Sequence, residues 1–485
     1  MSASLFHDYP FNANLYDEAF SKQDSPRASY SKLLKELSQY SQTDYAEVNE
    51  YVRRSFFNQG ITFNDYSGSS KGEERIFPFD LFPRVIEHKE WSQLEKGIMQ
   101  RSHAINLFLY DIYHDKKILK DKVFPSELLF SCGQYNKFML DFTPAGGIYT
   151  HISGTDLIKH TDGKYYVLED NVRCPSGVSY VLSSRDTMKK AFSQIFSQHK
   201  IQSVSHYPDE LLHIMHSVAP EGVDEPVCVV LSPGIYNSAY YEHSFLALSM
   251  GISLVEGRDL FVDKNFVYMK TIHGPKRVDV IYRRVDDEYL DPIAYNPNSV
   301  LGVPGIIAAY REGNVTLLNA PGTGAADDKA IYSYIPAIIK YYLGEDPILN
   351  NVQTYRCEDD SDLKYVLENM ENLVIKPVDQ SGGKGILIGT SSTKEEREKY
   401  KDVIKADRRR YIAQPIMALS VHPTYIDETS KFEQRHIDLR TFTLMGKDCS
   451  HVMKGGLTRV ALRRGNLVVN SSQGGGSKDT WVLGE

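Results

Sequence analysis

The feature that most constrains this chain is a glycine loop between two apolar strands, the segment VIKPVDQSGGKGILIG at residues 374–389. Lys376 ends the first strand, and the loop follows four residues after Pro377. Glycine lets backbone N–H groups approach phosphate oxygens, and a lysine at the strand end adds positive charge. The segment lacks GxGxxG and lacks GxxxxGK[ST] followed by a helix. It therefore predicts a hairpin lid over a phosphate, with an ordinary turn as the alternative.

An acidic set lies about 200 residues earlier, in GGIYTHISGTDLIKHTDGKYYVLEDN at residues 146–171. The Asp-Gly pair in the middle predicts a β-hairpin. Asp156 lies on its first strand, and Glu169 and Asn171 lie on its second. Residues two apart on a strand share a face, so Glu169 and Asn171 should project together. Two carboxylates and an amide oxygen suit Mg²⁺; a solvated acidic strand face is the alternative.

Composition narrows the class of protein. The chain has 485 residues, enough for two or three packed domains, and 41% of them are hydrophobic. Its net charge of −8 gives no electrostatic reason to bind nucleic acid or an anionic membrane. Five scattered cysteines indicate reduced thiols, a cytoplasmic setting and no structural zinc. No apolar run approaches the length of a membrane helix, about 18 residues or more.

The pattern of elements along the chain predicts four segments. Residues 1–60 form a helical lead-in, and residues 61–199 hold the acidic hairpin. Residues 200–325 alternate strand and helix, which predicts an α/β substrate-side domain. Residues 326–485 carry the glycine lid and the remaining strands of the core.

The acidic set, the strand lysine and the glycine lid together resemble the ATP-grasp superfamily, whose members hold ATP between two sheets and join a carboxylate to an amine. Here the acidic set comes first, which is the permuted order of eukaryotic-type glutathione synthetases and of glutathionylspermidine synthetase. EDNVRCPSG, YRRVDDEYLDP, NAPGTGAADDKA, HIDLRTF, GGLTRVAL and GGGSKDTWVL are similar to motifs of the bacterial circularly permuted ATP-grasp family. The resemblance implies an α/β (α+β) circularly permuted ATP-grasp fold, with an additional α/β substrate domain and a helical N-terminal lead-in.

The resemblance also implies a role for each matching residue. Asp156, Glu169 and Asn171 would be the Mg²⁺ ligands, with Asp379 as an uncertain further ligand. ATP would be bound by Lys329, Lys376, Gly382, Gly383, Gly385 and Gln414. Arg440, Arg173 and Arg459 would contact the transferring phosphoryl group or the acyl-phosphate.

Other polar residues near these motifs have two readings. Arg173 either binds substrate or forms an ion pair with Glu169. Ser176-Gly177 either offers N–H groups to an anion or simply begins a helix. Arg284 either points into the site or forms a salt bridge to a nearby aspartate. Lys478 either clamps an acyl-phosphate or is solvated.

These observations predict an Mg·ATP-dependent carboxylate–amine ligase that works through an acyl-phosphate. Its partners would be a small-molecule or peptide carboxylate and an amine, with no nucleic acid and no membrane. An ATP-dependent phosphotransferase and a non-catalytic nucleotide-binding protein are the alternatives. The sequence leaves both substrates and the oligomeric state open.

Overall fold

The fold is described from a computed structural model of residues 5–65, 73–380, 385–462, 469 and 475–485. Within these residues the strands form six sheets, the largest of nine strands. None of the described helices is long and apolar enough to cross a bilayer.

The N-terminal segment is helical only in its second half. Residues 5–27 form turns and a short hairpin, whereas a helical lead-in was expected over residues 1–60. Ser41 begins the longer helix by accepting a hydrogen bond from the Asp44 N–H at 3.1 Å, and the Asp44 carboxylate accepts one from the Ser41 N–H at 2.9 Å. The elements are β1 (Phe20–Lys22), β2 (Ser25–Pro26), α1 (Ala28–Leu37) and α2 (Gln42–Asn58).

The next part of the chain contributes one long helix and the acidic hairpin. The long helix, α3, lies against the large sheet. The elements are β3 (Thr62–Asp65), β4 (Glu73–Ile76), β5 (Phe79–Ile86), α3 (His88–Tyr113), α4 (Lys117–Lys120), α5 (Ser126–Phe130), β6 (Ile152–Lys159), β7 (Tyr165–Asn171), α6 (Val178–Ala191), α7 (Ser193–Gln198) and α8 (Tyr207–Ser217).

The middle of the chain forms a four-stranded parallel sheet in the order β14-β13-β8-β9, together with a three-stranded antiparallel meander, β10-β11-β12. Parallel strands joined by helices are typical of an α/β layer. The elements are β8 (Cys228–Leu231), α9 (Tyr240–Met250), β9 (Ser253–Val255), β10 (Leu260–Asp263), β11 (Phe266–Thr271), β12 (Gly274–Val278), β13 (Val280–Arg283), α10 (Asp287–Leu290), α11 (Ile306–Arg311) and β14 (Thr316–Leu318).

A small sheet follows, with the strand order β16-β19-β17-β18. On β17, Leu373 and Ile375 are buried in a core shared with α15 and α16, while Val374 and Lys376 on the other face stay half-buried. The elements are α12 (Gly324–Asp327), α13 (Lys329–Tyr332), α14 (Ile335–Leu343), β15 (Asn350–Asn351), β16 (Tyr355–Arg356), α15 (Asp360–Asn369), β17 (Leu373–Pro377), β18 (Leu387–Ile388), α16 (Lys394–Ala406) and β19 (Tyr411–Pro415).

The C-terminal strands complete the nine-stranded large sheet. Its main path is β15-β7-β6-β21-β23-β24-β5, and β20 and β22 also pair with the 15-residue strand β21. The sheet thus combines strands from both ends of the chain. These elements are β20 (Val421–Ile426), β21 (Lys431–Met445), β22 (Ser450–Val452), β23 (Leu457–Val460) and β24 (Gly476–Val482).

A buried ion pair fixes α3 on the large sheet. The Arg101 Nε donates to Asp170 on β7 at 3.2 Å, and its Nη1 donates to the Asn351 side chain on β15 at 2.7 Å. The Arg101 and Asp170 side chains are 1% and 2% exposed. Removing one member of such a pair leaves an uncompensated buried charge.

We therefore expect Arg101→Ala to lower the free energy of unfolding by about 3–5 kcal/mol. Urea unfolding followed by circular dichroism measures the change. Arg54→Ala is the matched control, because the Arg54–Glu50 pair is exposed and such pairs contribute at most about 1 kcal/mol. Equal unfolding midpoints for the two variants would contradict this account.

Candidate functional site

The acidic hairpin is present where the sequence predicts it. Strands β6 and β7 pair antiparallel, and Gly163 adopts a φ of 75° in the turn. Asp162 stabilises this turn, because its side chain accepts a hydrogen bond from the Lys164 N–H at 2.9 Å. The hairpin prediction is confirmed.

A β-bulge determines which side chains of β7 face the site. Asp156 pairs with Glu169, but the next residue of β6 pairs with Val167, so Leu168 is the extra residue. Val167 and Asp170 are both buried on the side of α3. Glu169 and Asn171 lie on the opposite face, as the strand periodicity predicts.

Cationic side chains from separate elements surround Glu169. Lys329 Nζ, at the start of α13, lies 3.5 Å from Glu169 Oε2. Arg440 Nη2, on β21, lies 3.9 Å from Oε1. The Glu169 side chain keeps 29% exposure, so it is open to a further ligand.

Asp156 is engaged by two arginines. Arg440 Nε and Nη2 donate to its two oxygens at 2.6 and 2.8 Å, and Arg459 Nη2 donates to Oδ2 at 2.8 Å. Burial raises the pKa of the Asp156 carboxyl, but the two guanidiniums outweigh this effect and hold the pKa below its usual range. Arg459 also pairs with Asp438. Metal ligation by Asp156 stays a prediction, and it would require these contacts to be shared.

The donor set that best fits Mg²⁺ is Glu169 with Asn171. The Asn171 amide N–H donates a hydrogen bond to the Gly154 carbonyl at 3.2 Å. This bond orients the amide, so that its oxygen is the atom that could ligate a metal. Mg²⁺ needs few protein ligands when phosphate oxygens and water complete its shell. The described residues contain no group of three or more His, Cys, Asp or Glu side chains that could hold a metal alone. Asp379 is half-exposed and lies 3.6 Å from Arg410.

Lys376 and Gln414 lie together on the small sheet. Lys376 Nζ donates to Gln414 Oε1 at 2.7 Å, and the Gln414 amide donates to Thr354 Oγ1 at 3.0 Å. Burial lowers the pKa of Lys376 to about 8; Glu169 opposes this effect, and the charge of Lys329 adds to it. An anionic ligand beside Lys376 would therefore stabilise its protonated form and raise its pKa.

Lys329 joins the two sheets. It is the first residue of α13, and Asp328 caps that helix by accepting from the Ala330 N–H at 2.8 Å. Lys329 Nζ also donates to the Gln380 carbonyl, at the start of the glycine loop, at 2.7 Å. In that loop Gly385 has a φ of 67°. Gly382 and Gly383, the other predicted lid residues, lie outside the described residues.

Arg173 pairs with a residue that the sequence did not single out. Its Nε donates to Asp327 Oδ2, on α12, at 2.5 Å, so its ion-pair partner is Asp327 rather than Glu169. The two residues are 154 positions apart, and no local spacing links them. Asp327 lies within the NAPGTGAADDKA motif at residues 319–330, which was the available signal.

The N-terminus of α6 is occupied by a buried carboxylate. Glu242, on α9, accepts hydrogen bonds from the Gly177 and Ser179 N–H groups at 2.7 and 3.1 Å. Arg284 Nη2 lies 3.2 Å from the other Glu242 oxygen. The Glu242 carboxylate therefore occupies the candidate anion site at Ser176-Gly177.

Lys478 is fully buried and pairs with Asp80, so it is not solvated.

Comparisons with known proteins agree with this architecture. A family model described as circularly permuted ATP-grasp type 2 matches residues 83–461. An uncharacterized protein of Synechocystis sp. is 48% identical over 97% of this chain and 97% of its own length. An uncharacterized protein of Mycobacterium tuberculosis is 46% identical over 97% of this chain and 84% of its own.

Two further relatives carry informative names. A Frankia alni protein named as a candidate glutamate–cysteine ligase is 37% identical over 96% of this chain, which spans 54% of that protein. A glutathione synthetase-like effector from Globodera pallida, solved in its apo form, has a TM-score of 0.58 at 12% identity. That structure aligns with 92% of this chain and 98% of its own, and it shows the fold alone. The family and fold expected from the motifs are confirmed.

The pKa of Lys376 predicts how Mg·ATP binding should depend on pH. Because the pKa is about 8, raising the pH through 8 removes the charge from the free protein. An anionic ligand favours the charged form, so affinity should fall above pH 8, by at most about tenfold per pH unit for one linked proton. Isothermal titration between pH 7 and 9.5 measures this slope.

Lys376→Arg is the matched control for this titration. A guanidinium keeps its proton throughout the range, so the affinity of this variant should stay level. The same decline in both proteins would show that another group is responsible.

Proposed function

The chain belongs to the circularly permuted ATP-grasp type 2 family, and from this membership we propose that it is an Mg·ATP-dependent carboxylate–amine ligase. One observation carries the proposal: Lys329, Lys376 and Arg440, from three separate elements, all converge on the half-exposed Glu169. Arg440 is already paired with Asp156, so the two lysines against Glu169 leave an excess of one positive charge. A polyphosphate bound there would compensate that charge.

In this proposal ATP lies across the small sheet. Gln414 reads the adenine edge, and Val374 and Ile388, half-buried on neighbouring strands, contact the base. Lys376 and Lys329 hold the phosphates, and the loop that contains Gly382, Gly383 and Gly385 covers them. The hydrogen bond from Lys329 to the Gln380 carbonyl supports this arrangement, because Gln380 is the residue that precedes the glycine loop.

Glu169 and Asn171 would hold Mg²⁺, with Asp156 as the upstream acidic partner. The metal, when bound, would neutralise phosphate charge and help to align the γ-phosphate. The chain's own contribution is to place these donors on one strand face and to keep Asp170 turned away.

The proposed reaction has two steps. A substrate carboxylate oxygen attacks the γ-phosphorus, the bond to the β-phosphate oxygen breaks, and an acyl-phosphate and ADP form. The nitrogen of a neutral amine then bonds to the acyl carbon, and the bond from that carbon to the bridging oxygen breaks. Inorganic phosphate leaves with this former carboxylate oxygen, and the nitrogen loses one proton to solvent. Arg440, Arg173 and Arg459 surround this region; Arg440 is the closest of them to Glu169 and would stabilise charge on the phosphoryl oxygens.

Two observations favour a ligase over a phosphotransferase. The Frankia alni relative carries the name of a ligase, although about half of that protein lies outside the aligned region. Arg440 and Arg173, each held in an ion pair with an aspartate, lie beyond Glu169, where an acyl-phosphate would form. All five cysteines are unpaired, which supports a cytoplasmic setting.

We expect Mg·ATP to raise the unfolding temperature of the wild type and to have little effect on Lys376→Ala. A ligand at about 100 times its Kd adds roughly 2.7 kcal/mol. Lys364→Ala is the matched control, because Lys364 is exposed on α15, and this helix packs on the face of the small sheet opposite Lys376. If Lys376→Ala responds as fully as Lys364→Ala, the phosphate role of Lys376 is wrong.

For catalysis, we expect Glu169→Gln to lower turnover by about 10²–10³-fold, the usual loss for one preorganised group. ADP release is followed in a screen of carboxylate and amine pairs, with Glu371→Gln as an exposed control. Once a pair is found, ¹⁸O placed in the carboxylate should appear in the inorganic phosphate. ADP release that needs no amine, with no amide formed, would favour the phosphotransferase.

A further inference from the structure

A cavity of about 400 Å³ opens beside the phosphate end of the proposed ATP site. One wall is the turn at residues 131–134 together with α12, and the other is the small-sheet side around Val378 and Asp407. We call it the side cavity. Its volume falls in the range of small-molecule sites, roughly 300–1,000 Å³.

The walls of the side cavity continue directly from the proposed ATP-binding residues. Arg173 follows Asn171 by two positions, and Val378 follows Lys376 by two. Two residues of extended chain span at most about 7 Å. Asp328, also in the wall, immediately precedes α13. A molecule in the side cavity therefore lies next to the place where the acyl-phosphate would form.

The lining of the side cavity selects for a hydrophilic cation. Val378 is its one large apolar side chain among the described residues, and no aromatic ring lines it. Its charged residues are four carboxylates against three guanidiniums: Asp327, Asp328, Asp379, Asp407, Arg173, Arg409 and Arg410. The excess of negative charge disfavours a second anion.

Two of the acids are already committed, and two remain open. Asp327 pairs with Arg173, and Arg409 donates to Asp328 Oδ2 at 2.8 Å. Asp379 is 44% exposed and lies only loosely against Arg410, and Asp407 is exposed without an ion pair to any described residue. Arg410 is held as loosely as Asp379, so the uncommitted charge facing this cavity is two carboxylates against one guanidinium, a net of one negative charge.

We propose that the side cavity is the subsite for the amine substrate, and that it takes a small hydrophilic amine held as its ammonium ion by Asp379 and Asp407. The bound ammonium loses one proton to solvent before its nitrogen attacks the acyl carbon, and the nitrogen loses a second proton as the amide forms. This assignment rests on the proposed ligase function. It gives the second substrate an approach from the side of Arg173, separate from the small-sheet face assigned to ATP.

Gly133 offers a way to block the side cavity without disturbing its walls. A Cβ added at Gly133 would meet no atom within 4 Å, and the residue has no positive φ. At Gly324, on the same wall, an added Cβ would lie 2.9 Å from side-chain atoms of Arg173 and Gln134, so that position is unsuitable. Gly133→Trp should therefore fill the space, and Gly133→Ala should leave it open.

The test is titration of the full-length protein with 1,3-diaminopropane, a small diammonium probe, followed by ligand-observed NMR in the absence of nucleotide. The wild type and Gly133→Ala should bind it. Gly133→Trp and the double variant Asp379→Asn/Asp407→Asn should bind about tenfold more weakly, a loss of about 1.4 kcal/mol. Glu395→Gln/Asp402→Asn, two exposed positions on α16, matches the charge change and should bind like the wild type.

Separate outcomes identify which proposal fails. No diamine binding to the wild type, equal binding by all variants, or preferential binding of malonate would overturn the amine subsite. Stabilisation by Mg·ATP, measured in parallel, should persist in Gly133→Trp. If the wild type itself lacks that stabilisation, the ligase proposal fails, while the diamine titration still decides whether the side cavity binds an ammonium ion.

Discussion

The architecture depends on a buried ion pair between Asp156 on β6 and Arg440 on β21, which are 284 positions apart and directly opposite in the large sheet. Burying charge is expensive unless every oxygen and N–H group is satisfied. Here Arg459 shares the Asp156 carboxylate and also binds Asp438. The four side chains together carry no net charge. This balance lets a polar cluster occupy the centre of a sheet built from both ends of the chain.

The same cluster shapes the field around Glu169. Because Asp156 neutralises much of Arg440, the remaining free cations near Glu169 are Lys329 and Lys376. Burial lowers the pKa of Lys376 most, and the positive charge of Lys329 lowers it further. A site that holds unrelieved positive charge is destabilising until an anion enters it. The arrangement therefore supports the proposed phosphate role of the two lysines.

Local patterns in the sequence predicted the parts of the site that are set by neighbouring residues. The hairpin turn follows from Asp162–Gly163, and the shared face of Glu169 and Asn171 follows from strand periodicity. The bulge at Leu168 was not predictable from periodicity, because the same alternation counted back from Glu169 would place Val167 on the site face. Val167 is instead fully buried.

Contacts between distant residues could not be predicted from spacing. Arg173 and Asp327 form an ion pair although they are 154 positions apart. Glu242 accepts a hydrogen bond from the Gly177 N–H at the start of α6, 65 positions away. Such contacts depend on how whole elements pack. The turns and short hairpin at residues 5–27 also include such a distant contact, because Glu18 pairs with the buried Arg84. The family resemblance predicted the candidate site residues, but it did not predict which side chains they contact.

The distance between the acidic strand and the lysine strand is set by β15 rather than by chain order. β15 pairs in parallel with β7, and the Val352 N–H continues the ladder to the Val167 carbonyl at 3.0 Å. Arg101 then binds both Asp170 and Asn351, so one guanidinium fixes this join. Only three residues later the chain enters the small sheet. Because the register of β15 on β7 is fixed, the small sheet begins at a defined place relative to Glu169. The order of the motifs along the chain is then immaterial to the geometry of the site.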